Sequence, residues 1–189
     1  MHEGAALART GVILSSGSPQ RKAILEQLGV KFRVEVPELE EVVDGDPHEL
    51  VRENALLKAR AVRGRTVLGA DTAVVLDGQI FGKPADRHAA EAFLTALNDS
   101  THDVMTGIAV VDSGTERSDV AITRVRFRAL GPAEIAWYLD TGEWRGRAGG
   151  YAIQGRGAAL VEAIEGDYFN VVGLPVPALL RLMPDLLRG

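Results

Sequence analysis

The sequence predicts a mixed α/β fold whose sheet is not purely parallel. Three observations carry that expectation. An apolar run, Gly11 to Leu14, leads through a Ser/Gly turn into a helix with Ile24, Leu25 and Leu28 on one face. Asp77-Gly78 and the stretch Asp112 to Thr115 each sit between strand-like runs and mark hairpins, which pair strands antiparallel. Capped amphipathic stretches alternate with these runs, so helices have a sheet to cover.

Taken in order, the first helix has Ser18 at its N-cap, Pro19 at its first position and Gly29 as its stop. "KFRVEVPELEE" alternates like a strand and then turns acidic. A second helix runs from about Pro47 to Val62 with Asp46 as its cap. "TVLGADTAVVLDGQIFG" reads as two strand pieces around the Asp77-Gly78 turn. "RHAAEAFLTALND" is an amphipathic helix, and a long hairpin follows from His102 to Leu130. "GPAEIAWYLD" is a further helix and "RGRAGGYAIQGRG" a glycine-rich loop. "AALVEAIEG" is a strand, and "VPALLRLMPDLL" closes the chain as a helix.

The 189 residues suffice for one good-sized domain or two small lobes, and we take 1–189 as a single domain. Hydrophobic residues make up 46% and charged residues 25%, ordinary for a globular protein. The formal net charge of -5 argues against non-specific nucleic-acid or membrane-surface binding. The absence of cysteine removes thiol catalysis, disulfides and Cys-based zinc sites, and fits a reducing compartment. No apolar run near the N-terminus has the length of a signal peptide or membrane span, so the expected location is cytoplasmic.

Cations in the wrong places are the first functional signal. Arg21 lies in the first turn of its helix, where the dipole favours anions, and on the side that should be buried. A strand, a Ser/Gly loop and a helix N-terminus form a ready anion site, to which Ser15, Ser16 and Ser18 add hydroxyls. A bound phosphate would stabilise Arg21 there; a capped helix with two solvated basic residues is the plainer alternative. The loop is not a Walker A motif. In the next helix Asn54 and Lys58 fall on the apolar stripe of Val51, Ala55 and Val62. Lysine is rarely buried without a partner, although it can snorkel to solvent. Lys83, kept extended by Pro84, adds a third cation.

Carboxylates come next. Asp71 follows the apolar strand "VLGA", and open α/β sheets bind ligands at the carboxyl ends of their strands. It could equally initiate a turn with Thr72. Glu40 and Glu41 would suit magnesium, which takes one or two carboxylates plus substrate phosphates, or could form a solvated acidic loop. His2, His48, His88 and His102 are scattered, which argues against histidine catalysis. The residues alone therefore indicate a polyanion site with nearby carboxylates, and phosphate chemistry of unspecified kind.

Five stretches in this order resemble the Maf family of nucleoside triphosphate pyrophosphatases: "SSGSPQRKAILEQLG", "ENALLKA", "GADTAVVLDGQIFGKP", "HDVMTGIAV" and "GRAGGYAIQGRGAALVEAIEGDYFNVVGLP". The resemblance implies an elongated mixed sheet with flanking helices and two lobes around a central cleft, similar to the inosine triphosphate pyrophosphatases. It implies hydrolysis of a nucleoside triphosphate to monophosphate and pyrophosphate, with Mg2+ or Mn2+, and a homodimer. Carried over by motif, the catalytic acid falls on Asp71 and the lysines on Lys58 and Lys83. The phosphate-binding Ser and Arg fall on Ser16 and Arg21, and a metal-site acid falls on Glu40 or Glu41, with Glu41 favoured. Asp71 would share that metal.

Arg21, Thr72 and Gln154 match the branch of the family that acts on dTTP and UTP, and "GADT" and "IQG", lacking in the 7-methyl-GTP branch, are intact. Arg147 stands where many relatives have Lys, which keeps the charge. The chemistry agrees: cations and metal offset a triphosphate, Asp71 accepts a proton from water or helps hold the metal, and the Gln154 amide can pair with the imide edge of uracil or thymine. Another base preference, or a nucleotide-binding regulator of septum formation, are the rival expectations.

Overall fold

The computed structural model describes residues 11–188. Its elements are β1 (Val12–Ser15), α1 (Pro19–Gln27), β2 (Phe32–Val34), α2 (Pro47–Ala61), β3 (Thr66–Leu76), β4 (Gln79–Phe81), α3 (Arg87–Leu97), β5 (Thr101–Asp112), β6 (Thr115–Phe127), α4 (Pro132–Asp140), β7 (Val161–Glu165), α5 (Tyr168–Val172) and α6 (Val176–Leu182). Helix starts follow capping chemistry. Ser18, Asp46 and Asp86 each accept a backbone N–H from the first turn of α1, α2 and α3 through their side chains.

The sheet is mixed, as expected. Its order is β2-β1-β3-β5-β6-β7, with β4 added to β3. β1 pairs parallel with both β2 and β3, whereas β3–β4 and β6–β7 are antiparallel. The hairpin turns fall at Asp77-Gly78 and Ser113-Gly114, each pair with positive φ. That is the backbone such two-residue turns require.

Contacts divide the chain into two compact units. Among the described residues, the first comprises 11–71, Thr106–Ala121 and 173–188; the second comprises Thr72–Met105 and Ile122–Val172. Each has its own core. In the first, Ile13, Val67 and Ala109 of the strands pack with Ala55, Leu56 and Ala59 of α2. In the second, Leu94 and Leu97 of α3 and Tyr138 and Leu139 of α4 surround Val104, Phe127 and Tyr151.

Two glycines set how closely α2 lies on the sheet. A Cβ on Gly69 of β3 would stand 2.1 Å from the Ala55 carbonyl oxygen, and one on Gly107 of β5 would stand 2.1 Å from that of Val51. Both distances are far inside van der Waals contact, so backbone rests on backbone at these two points.

The structure corrects four readings of secondary structure. Asp71 is not at a strand end, because β3 continues through it to Leu76. The partner strand ends instead: β1 stops with Ser15 opposite Gly69, two residues before Asp71. The Asp71 side chain bonds to α2 rather than to its own backbone, so no turn forms. Residues 158–160 belong to a 3₁₀ turn, Gly155–Leu160, and the strand begins only at Val161. The strand-like "KFRVEV" yields three residues of strand. The short helix α5 was not anticipated; the Asp167 carboxylate accepts the Phe169 N–H at its start.

Candidate active site

The first unit brings together Ser16, Arg21, Glu41, Lys58 and Asp71. Asn54 and Lys58 are one turn apart on α2 and so project from the same face. Lys58 Nζ lies 2.6 Å from Asp71 Oδ1 and 3.0 Å from Glu41 Oε1. The side chains of Lys58 and Asp71 are only 12% and 14% exposed, and that of Glu41 is 44% exposed. Lys58 therefore does not snorkel. Its charge is held by two carboxylates of the chain, one largely buried and one at the surface. Glu41 rather than Glu40 makes this pair.

Arg21 is buried at the start of α1, as its position on the apolar side implied. Its Nε donates to the Gly173 carbonyl at 2.8 Å and its Nη1 donates to Ser16 Oγ at 2.9 Å. Burial pulls the guanidinium pKa down, while the negative charges of Asp71 and Glu41 push it back up. The guanidinium is thus anchored by the protein itself. Ser16 Oγ also accepts the Ser18 N–H at 3.3 Å, which leaves the Ser16 O–H to donate.

Ser15 and Ser18 are corrected as phosphate donors. The fully buried Ser15 hydroxyl donates to the Lys58 carbonyl at 2.6 Å, tying β1 to the last turn of α2. Ser18 Oγ accepts the Arg21 N–H and donates to Gln20 Oε1, so it works as a helix cap.

Thr72, Lys83 and Gln154 fall in the second unit. Thr72 follows Asp71 directly in β3 and is half-buried. Lys83 is exposed between β4 and α3, ahead of buried Pro84. Gln154 is exposed in the glycine-rich loop, with no capping hydrogen bond from its side chain to the 3₁₀ turn that it precedes. The loop around it is fastened. Tyr138 Oη accepts the Ala152 N–H at 3.0 Å, and the Glu143 carboxylate accepts the N–H groups of Arg156 and Gly157 at 3.0 and 3.3 Å. A plain flexible loop does not fit these bonds. The Gln154 amide is presented on clamped backbone, without a cap hydrogen bond among the described residues.

The histidines divide by environment. His48 and His88 are exposed, His102 is buried, and His2 lies outside the described residues. His102 is 2% exposed, and its Nε2 pairs with Tyr151 Oη at 2.8 Å beside the Phe127 ring. Burial pushes its pKa down to about 4, and burial also raises the phenols, Tyr138 to about 12 and Tyr151 further. His102 is a neutral core residue.

Sequence reasoning missed the work of Asn54. Helical spacing puts it on the apolar stripe and says no more, yet its amide bonds both to Asp71 and to the segment that carries Glu41. A polar residue at 1% exposure marks such a role, but burial is not visible in a single sequence.

A strand–loop–helix turn holding a buried arginine, beside a lysine gripped by two carboxylates on an adjoining helix and strand, defines an α/β protein equipped for polyanion chemistry. The Maf-like protein family matches residues 11–186, and the chain belongs to that family. Similar proteins include three named dTTP/UTP pyrophosphatase. The one from Symbiobacterium thermophilum is 49% identical over 91% of this chain and 92% of its own. That from Deinococcus radiodurans is 46% identical over 91% of each chain. That from Pelotomaculum thermopropionicum is 44% identical over 91% of this chain and 94% of its own.

Proposed function

We propose that this chain hydrolyses dTTP and UTP to the monophosphate and pyrophosphate. The observation that carries the reading is the Lys58 ammonium between the Asp71 and Glu41 carboxylates. The ammonium holds both carboxylates in the chain alone and leaves one negative charge in excess, and a metal–triphosphate complex can exchange with them. Phosphate oxygens take the ammonium, and the carboxylates are released for a cation and a proton.

The donor set suits Mg2+ or Mn2+. Both carboxylates lie within 3.0 Å of one nitrogen, and such ions need only one or two protein carboxylates when substrate phosphates complete the shell. Asp71 and Glu41 would hold the ion, which when bound acidifies water and offsets phosphate charge. The rest is the chain's own. Arg21 offers planar guanidinium donors to phosphate oxygens, and the Ser16 hydroxyl adds one more. Lys58 and Lys83 offset charge on the triphosphate as the bond from the α-phosphorus to its bridging oxygen breaks and pyrophosphate leaves with that oxygen. A carboxylate oxygen of Asp71 takes the proton of the attacking water. The Gln154 amide gives one donor and one acceptor to the imide edge of the base, and the Thr72 hydroxyl adjusts that pairing. The reading carries with it a cytoplasmic homodimer.

The test is pyrophosphate release from a panel of triphosphates. We expect dTTP and UTP to be preferred over CTP, ATP and GTP, and Asp71→Asn to remove most turnover while the protein stays folded. Gln154→Glu should narrow the UTP-to-CTP ratio of kcat/KM by roughly one to two decades, the cost of one unmet hydrogen bond. A purine preference, or a folded Asp71→Asn variant of near-normal activity, overturns the reading.

A further inference from the structure

We propose that Asn54 is a positioning residue for this reaction, holding the Glu41 segment and the Asp71 carboxylate in one register. The inference rests on the assignment of Asp71 and Glu41 given above. Residues 35–46 connect β2 to α2 without regular secondary structure and are mostly exposed. Such a segment cannot by itself place a carboxylate accurately, because each free backbone torsion adds positional spread. Asn54 removes that freedom next to Glu41. Its Oδ1 accepts the Val42 N–H at 2.7 Å, and its Nδ2 donates to the Val42 carbonyl at 2.9 Å.

The same Nδ2 donates its other hydrogen to Asp71 Oδ2 at 3.1 Å. A primary amide has one acceptor oxygen and two N–H donors, and all three functions are used. The orientation is therefore determined. Flipping the amide would set N–H against N–H at Val42 and oxygen against oxygen at both Val42 and Asp71. At 1% exposure no bulk water compensates for a lost partner.

Lys58, one turn further along α2, repeats the pattern with charge. Lys58 reaches Asp71 Oδ1 and Glu41, and Asn54 reaches Asp71 Oδ2 and Val42. Two consecutive turns of one helix thus staple the same two acidic positions. Lys58 is free to exchange its partners for phosphate, whereas the neutral amide stays with its own. Asn54 is what keeps the carboxylates in place while the lysine is in use.

The experiment compares Asn54→Ala, Glu41→Gln, Asp71→Asn and the double variant Asn54→Ala/Glu41→Gln in the full chain, with UTP and Mg2+. Asn54→Ala should lower kcat about 10- to 100-fold, the usual effect of losing a group that orients a site carboxylate. If Asn54 acts through Glu41, the double variant should lose far less than the product of the two single losses. Losses that multiply, or a folded Asn54→Ala variant with kcat within about twofold of wild type, overturn the proposal. Should Asn54→Ala not fold, amide exchange in the wild type decides: Val42 must exchange much more slowly than its neighbour Val43, and equal rates overturn the proposal. Asp71→Asn separates the two levels. If it stays active, the reading of the site fails; if it is dead while Asn54→Ala works normally, only the role of Asn54 fails.

Discussion

Lys58→Met removes one charge and keeps most of the side-chain stem. In the wild type the ammonium is 2.6 Å from Asp71, with both side chains under 15% exposed. Breaking a fully buried pair costs roughly 3–5 kcal/mol because the remaining charge is stranded, and a fully exposed pair is worth about 0–1 kcal/mol. This pair sits nearer the buried limit, but Asp71 keeps the Asn54 N–H and some water. The half-exposed Glu41 adds little. We therefore expect a loss of about 3 kcal/mol. For a chain of this size, one kcal/mol moves the melting temperature by roughly 2–4 °C, so the expected drop is about 6–12 °C. The double variant Lys58→Met/Asp71→Asn removes the stranded charge and should melt higher than Lys58→Met alone. Thermal unfolding followed by circular dichroism reads both. KM should rise, or kcat fall, for every triphosphate alike, since phosphate is common to all. A Lys58→Met protein that melts at or above the wild type and keeps full activity refutes the reasoning, for the lysine would then be mere surface cover.

Arg21→Lys should destabilise the protein by about 1–3 kcal/mol and weaken all nucleotides together, because an ammonium cannot donate along both the Nε and Nη1 directions to Gly173 and Ser16. Equal melting temperature and KM would count against it. His102 gives the pH dependence. Its folded pKa of about 4 lies below the 6.5 of an exposed histidine, so below pH 6.5 the unfolded chain binds a proton that the folded chain does not. Stability should fall between pH 6.5 and 4 by up to about 3 kcal/mol, and His102→Gln should flatten that portion of the curve. A variant with the same slope as wild type would assign the effect to other groups.

How much of this was legible in the sequence depended on whether the signal was local. The caps at Ser18 and Asp46 and the turns at Asp77-Gly78 and within Asp112 to Thr115 are legible, since each rests on a few adjacent residues. Arg21 and Lys58 were recognised as misplaced cations because helical spacing gives their direction. What they touch was not legible. Lys58 meets an acid 13 residues away, and Arg21 meets the carbonyl of Gly173, 152 residues away. Pairing across such separations is set by the sheet order, which a single chain does not display. The strand end was misjudged at Asp71 because the residue types allowed a turn. The hydrogen bonds from Asn54 and Lys58 that leave β3 free to continue come from another element.

The bare backbone contacts at Gly69 and Gly107 have an evolutionary consequence. Where helix and sheet meet through side chains, each exchange of Leu for Ile or Val shifts the spacing, and a site built across that seam drifts with it. Here the gap between α2 and β3 is fixed by the atomic radii of the main chain, so the core can change composition while Asn54 and Lys58 stay within reach of Asp71. The exposure to mutation is concentrated instead of spread. Glycine-to-alanine exchange, elsewhere a routine means of stiffening a protein, would at these two positions pry the helix off the sheet and carry both side chains away from the acid.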